Sequence, residues 1–171
     1  MDEKTEYLWN TYDLVNKWIE HADTKAAAVL AAVGVFSCFI VTNIKDIVPF
    51  ISKDHWYVIV ASILGCACLI FSALCAFVSI LPKLKVGEST SLIYFNHISN
   101  HTAEEYKNLL KPVLKSTKKL NSQLTHQIWA NSKVSTKKFY RVGLSIWCLA
   151  GATLFSLIPL ISYVSSLLWP K

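Results

Sequence analysis

Three stretches of this 171-residue chain, Ala26 to Ile44, Trp56 to Pro82 and Val142 to Pro170, carry no charged side chain, and the last two lack histidine as well. A helix rises about 1.5 Å per residue, so about 20 residues cross a hydrocarbon core about 30 Å thick. The second and third runs exceed that length and should tilt or end among the headgroups. The first is close to the minimum, and its "AAAVLAAVG" suits close packing against another helix because small side chains let backbones approach. A soluble fold would have to bury all three runs on every face in a chain that is 53% hydrophobic and 16% charged. The sequence therefore predicts an all-α integral membrane protein. Three transmembrane helices (26–44, 56–82 and 142–169) are expected, with a cytoplasmic helical stalk or bundle continuous with the spans.

The flanks support this reading. Trp56 and Tyr57 open the second run, Tyr140 precedes the third and Trp169 closes it, and such rings favour the headgroup zone. The chain opens on the polar "MDEKTE", from which no cleavable signal peptide is expected. Lys83 to Arg141 holds eleven Lys or Arg against three acids, whereas the loop from Asn43 to His55 has two of each sign. The positive-inside rule then places residues 83–141 in the cytoplasm. Three spans then put the N-terminus inside and the C-terminus outside. The net charge of +6 reads as a topology signal, with no nucleic acid polymer as partner. Five cysteines (Cys38, Cys66, Cys68, Cys75 and Cys148) lie within the runs and should behave as small apolar side chains. No disulfide framework or metal site is expected from their spacing.

In the segment 1–25, Leu8, Tyr12, Val15, Ile19 and Ala22 alternate at four and three, the mark of one apolar helical stripe. No Gly or Pro separates it from the first span. The segment 83–141 is basic and helical. Pro82 and Gly87 in "LPKLKVGEST" signal an exit and a turn. "SLIYFNHI" fits a short helix or a strand, with helix favoured. Thr102 and Glu105 have the spacing of a capping box. From Tyr106 the four-three repeat runs through Leu110, Val113, Thr117, Leu120, Leu124, Gln127 and Asn131 to Val134. Its polar members suggest a seam that sets register. Pro112 should kink or restart the helix. As one rod, residues 103–141 would stand roughly 55–60 Å tall and the N-terminal helix roughly 35 Å, with the two packed in parallel. Copies of the same chain are expected to complete the stalk as a homo-oligomer.

Ile19, Asp23, Ala26 and Leu30 fall on one helical face, so Asp23 points where the apolar stripe points. An unpaired carboxylate there is expensive. "TKKFYR" supplies Lys138 and Arg141 as candidate partners, while Lys25 lies on another face and can snorkel to the headgroups.

The stretch "NKWIEHADTKAAAVL", with Asn16, Trp18, Ile19, Ala22, Asp23, Lys25 and Ala26, is similar to the N-terminal signature of the Pycsar transmembrane effectors, the PycTM family. "LIYFNHISNHTAEEYKNLL" (Leu92, Phe95, His97, Ile98, Glu105, Tyr106) and "LNSQLTHQIWANSKVSTKKFY" (Leu120, Gln127, Ile128, Lys138, Tyr140) resemble its cytoplasmic segments. Asn96 departs from the pattern, standing where the resemblance leads one to expect a glycine. The resemblance implies an antiphage effector without cofactor or catalytic residue. Such an effector senses cyclic CMP or cyclic UMP from a partner pyrimidine cyclase, then compromises the inner membrane and causes abortive infection. A basic stalk can receive the ligand phosphate on Lys or Arg while an aromatic ring stacks its base. The candidate contacts are His97, Tyr106, Lys138 and Arg141; the candidate gating residues are Asn16, Trp18, Asp23, Lys25, Lys138 and Arg141.

Plainer readings stand beside these. Asp23 and Lys25 also fit a purely structural role, anchoring the span and fixing helix packing. His97 and His101 are four apart but lack further ligands, so no zinc site is expected. His21 and His126 read as packing or solvent residues, and "KSTKK" as a solvated face. No nucleophile–base pair or glycine-rich phosphate loop points to catalysis. A constitutive ion channel subunit or an inert membrane scaffold are the alternative functions. Against the channel, the second and third spans hold no acid, base or histidine.

Overall fold

The structure, a computed structural model, describes residues 2–45, 56–81 and 91–168, without the side chains of 95, 96, 166 and 167. Its helices are α1 (Glu3–Thr42), α2 (Trp56–Ile80), α3 (Phe95–Ile98), α4 (Ala103–Leu114) and α5 (Thr117–Leu168). No strand occurs among the described residues. The fold is all-α, and α1, α2 and α5 are long and apolar enough to cross a membrane. The turn expected at Pro82 and Gly87, the charges at 46 and 53–54 and the closing Trp169 lie outside the described residues, as does the side chain of Asn96.

The chain divides into two compact units, residues 1–22 with 82–138 and residues 23–81 with 139–171. Both α1 and α5 contribute to each unit. In the first, α1 buries Thr5, Val15 and Ala22, and α5 buries Leu124, Gln127, Ala130, Ser135 and Lys138. These α1 positions extend the stripe read from the four-three spacing. In the second unit, α2 buries Val58, Ala61, Gly65, Leu69, Ser72, Ala76 and Ser79. This seam of mostly small residues recurs every three or four positions, as close helix approach in lipid requires. Ala26, Val29 and Val33 of α1 meet it with Val142 and Ala152 of α5. At Gly65 the helices approach closely enough that a Cβ there would lie 3.5 Å from Phe155 Cβ and 3.7 Å from the Ala152 carbonyl. The outward faces are apolar too, with Ile63, Ile70, Leu74 and Trp147 exposed. No more than 28% of the apolar window of any span is buried inside the protein, so hydrocarbon is the medium these faces suit.

Residues 103–141 do not form one rod. The helix ends at Leu114 and restarts at Thr117, later than Pro112 alone suggests. Pro112 has no N–H for the Asn108 carbonyl, which weakens the turn that contains it. The chain then leaves the helix at Lys115. The Lys115 N–H reaches the Lys111 carbonyl at 3.3 Å and the Ser116 N–H reaches that of Val113 at 3.2 Å. The Leu120 N–H bonds the Ser116 carbonyl at 3.0 Å to open α5. The first-unit part of α5, residues 117–138, thus rises roughly 33 Å, not 55–60 Å. At the head of α4 the expected capping box is present. The Glu105 N–H donates to Thr102 Oγ1 at 3.3 Å, and the Thr102 N–H donates to Glu105 Oε2 at 2.9 Å.

Candidate functional site

Within the first unit, α1 and α5 are joined by side-chain hydrogen bonds at two levels. Thr5 Oγ1 donates to Asn121 Oδ1 at 2.9 Å. Three turns further along, Asn131 Nδ2 donates to Asn16 Oδ1 at 2.8 Å, and Asn131 Oδ1 accepts from Gln127 Nε2 at 2.9 Å. The residue number rises on both helices from one level to the next, so the two pack in parallel, as the sequence suggests. Gln127 is only 3% exposed, and a buried amide needs its partners. An amide rung between helices carries donors and acceptors together. It can therefore trade a neighbour for a ligand edge without leaving a charge behind.

A second cluster lies where residues 91–98 fold back on α4 and α5. The Leu92 N–H donates to Gln123 Oε1 at 3.2 Å, and the Tyr106 hydroxyl donates to the Leu92 carbonyl at 3.0 Å. The Ser91 N–H donates to His97 Nδ1 at 2.8 Å, and the Tyr94 and His97 rings meet edge-on at 5.3 Å between centroids. His97 and Tyr106 are brought together, then, but as anchors of the backbone. An accepting Nδ1 places the imidazole proton on Nε2, leaving that N–H as its remaining donor. The Glu105 carboxylate accepts the Thr102 backbone N–H, and this bond first, with hydrogen bonding to the Thr102 side chain second, holds its carboxyl below the ordinary glutamate range.

The remaining candidates separate into buried and exposed. Asn16 and Asp23 are half-buried on α1, and Trp18 is 46% exposed. Lys138 is the buried cation of the group, only 6% exposed, and both it and Asp23 are engaged. In the second unit, Lys25 is exposed with Nζ 5.5 Å from the Phe139 ring centroid, a cation–π geometry. Arg141 Nη1 donates to the Val78 carbonyl at 3.3 Å, near the C-terminal end of α2. A guanidinium at that end satisfies an orphan carbonyl and the helix dipole. Sequence reasoning missed this use of Arg141, and it missed Gln123. Neither has a local signal: both bond to backbone far away in the chain.

A membrane-spanning helical protein with an amide-laddered seam outside its spans is the class these features define. The PycTM family model, described as the Pycsar effector protein domain, matches residues 7–165. The curated Pycsar effector protein PtPycTM of Propioniciclava tarda is 31% identical over 151 residues, covering 83% of this chain and 71% of that protein. No solved structure matches. The chain belongs to the PycTM family of Pycsar effectors, and its motif residues Asn16, Asp23, Lys25 and Lys138 all fall within the matched span.

Proposed function

We propose that the first unit binds a cyclic pyrimidine mononucleotide, cyclic CMP or cyclic UMP, made by a cognate pyrimidine cyclase. The spans then answer by impairing the bacterial inner membrane, so that the infected cell dies before the phage matures. The protein acts by binding and by membrane disruption, not by catalysis. The observation that carries this reading is that α1 and α5 each pass from one unit into the other as unbroken helices. A ligand that prefers one packing of the amide seam shifts the population of that packing, and continuous helices carry the change among the lipids.

Asp23 on α1 gates the response, with Lys25 and Arg141 setting the depth of the spans. Residues 83–141 and the N-terminus face the cytoplasm, where the nucleotide is made, and the C-terminus faces the periplasm. The exposed Tyr7, Leu14 and Trp18 of α1, at spacings of seven and four, form a stripe that a second copy would cover, which supports a homo-oligomer.

Purified full-length protein in dye-loaded vesicles tests the reading. Dye release is expected with cyclic CMP or cyclic UMP and not with cyclic AMP or buffer. Release without nucleotide would establish a constitutive channel, and no release under any condition would leave a scaffold. Asp23→Asn should abolish triggered release in a normally inserted protein; unchanged release would remove Asp23 from the gate.

A further inference from the structure

The three spans of the second unit line an open-sided cavity of about 730 Å³, within the range of roughly 300–1,000 Å³ usual for small-ligand sites. Its walls come from α1 between Val35 and Asn43, α2 between Ala61 and Leu69, and α5 between Ala152 and Tyr163. These stretches each cover about 12–17 Å of helix rise, about half of a hydrocarbon core about 30 Å thick. The cavity is therefore one leaflet deep.

The chemistry of the wall narrows the occupant. None of its residues is Asp, Glu, Lys, Arg or His. Ser62, Thr153, Ser156 and Asn43 turn donors onto their own helices. Ser62 Oγ donates to the Val58 carbonyl at 2.9 Å, Thr153 Oγ1 to that of Ala150 at 2.7 Å and Ser156 Oγ to that of Thr153 at 2.7 Å. Asn43 Nδ2 likewise donates to the Phe39 carbonyl at 2.8 Å. Such a wall offers an ion no charged ligand, and its Ser and Thr donors are already spent on backbone. What remains facing the space is hydrocarbon: Phe36, Phe39, Leu69, Leu157 and Leu160 among others. Asn43 and Tyr163 stand at the end of the cavity nearest the ends of α1 and α5. Ester and headgroup atoms meet amide and phenol groups at such a boundary.

We infer that this cavity is a binding site for one acyl chain of a membrane phospholipid, seated between the spans with its ester end toward Asn43 and Tyr163. The site stands independently of nucleotide sensing. Only its assignment to the outer leaflet rests on the topology proposed above. A seated chain fills space that the helices do not close themselves, and recovers dispersion contacts that a void would forfeit.

The test uses the full chain in phosphatidylethanolamine–phosphatidylglycerol vesicles containing a trace of phospholipid with a diazirine on one acyl chain. After photolysis the labelled positions are mapped by peptide mass spectrometry. Labelling should concentrate on wall residues such as Phe39, Cys66 and Leu157, severalfold above the outward-facing Ile63, Phe71 and Leu154. Even labelling, or labelling that spares the wall, would overturn the proposal. Ser156→Leu, which fills the cavity, should lower wall labelling severalfold and leave Phe71 labelling unchanged. If that variant fails to fold, Ser62→Leu fills it from the facing helix. Undiminished wall labelling in either folded variant would sink the idea.

Discussion

The two units solve helix packing in opposite ways along the same polypeptide rods. In the first, amides on α1 and α5 reach across to each other, and a buried Gln127 is held by Asn131 and Asn131 by Asn16. In the second, most hydroxyls fold back onto their own helix, and contact is made by Gly65, Ala76, Ala152 and other small residues. The difference follows the medium. Beside water, apolar burial drives association and a polar rung selects the register. In lipid, the tails are as apolar as the side chains, so association depends on close backbone approach. A hydroxyl still crosses between helices there, Ser72 Oγ donating to the Ser145 carbonyl at 2.7 Å, in addition to the Arg141–Val78 bond.

Breaking the amide seam tests the contrast most severely. Asn131→Ala strands Asn16 and the buried Gln127 together, and losing a buried partner costs about 1–3 kcal/mol. The loss should appear in the unfolding of the first unit, followed by amide exchange in residues 3–22 and 117–138. Next comes the capping box. Thr102→Ala should cost about 1 kcal/mol, confined to α4. Its pH dependence has a definite sign. The native carboxyl of Glu105 is lowered, so its contribution is complete above the ordinary glutamate pKa and is lost as pH falls through the native value. In Thr102→Ala that acid-limb dependence should flatten, which a pH series of thermal melts would read. Smallest is Ser72→Ala in the spans, where an inter-helix hydrogen bond averages about 0.6 kcal/mol. Steric-trap unfolding in bicelles measures it. A loss as large as that of Asn131→Ala would erase the contrast between the two units.

Much of this architecture is written in periodicity. The uninterrupted apolar runs show the spans, and the stripe from Leu8 to Ala22 foretells the buried Val15 and Ala22. Thr102 with Glu105 is a local code, and it is realised as read. Gln127 and Asn131 declare themselves as polar members of an apolar repeat, although their partner Asn16 needs the folded seam to be found. What stays hidden depends on contacts distant in sequence. His97 and Tyr106 are candidate ligand contacts by type, but their atoms serve Ser91 and Leu92. The helix break falls at Lys115 and Ser116, because the capping bonds there, and not Pro112 by itself, decide where the turn gives way.

The parallel seam has a mechanical consequence. Thr5 with Asn121 and Asn16 with Asn131 hold the helices at two heights, at sequence offsets of 116 and 115. Sliding one helix along the other by even a single residue unseats both latches at once, and intermediate positions offer neither pair a replacement. Such a shaft resists sliding until both catches give together.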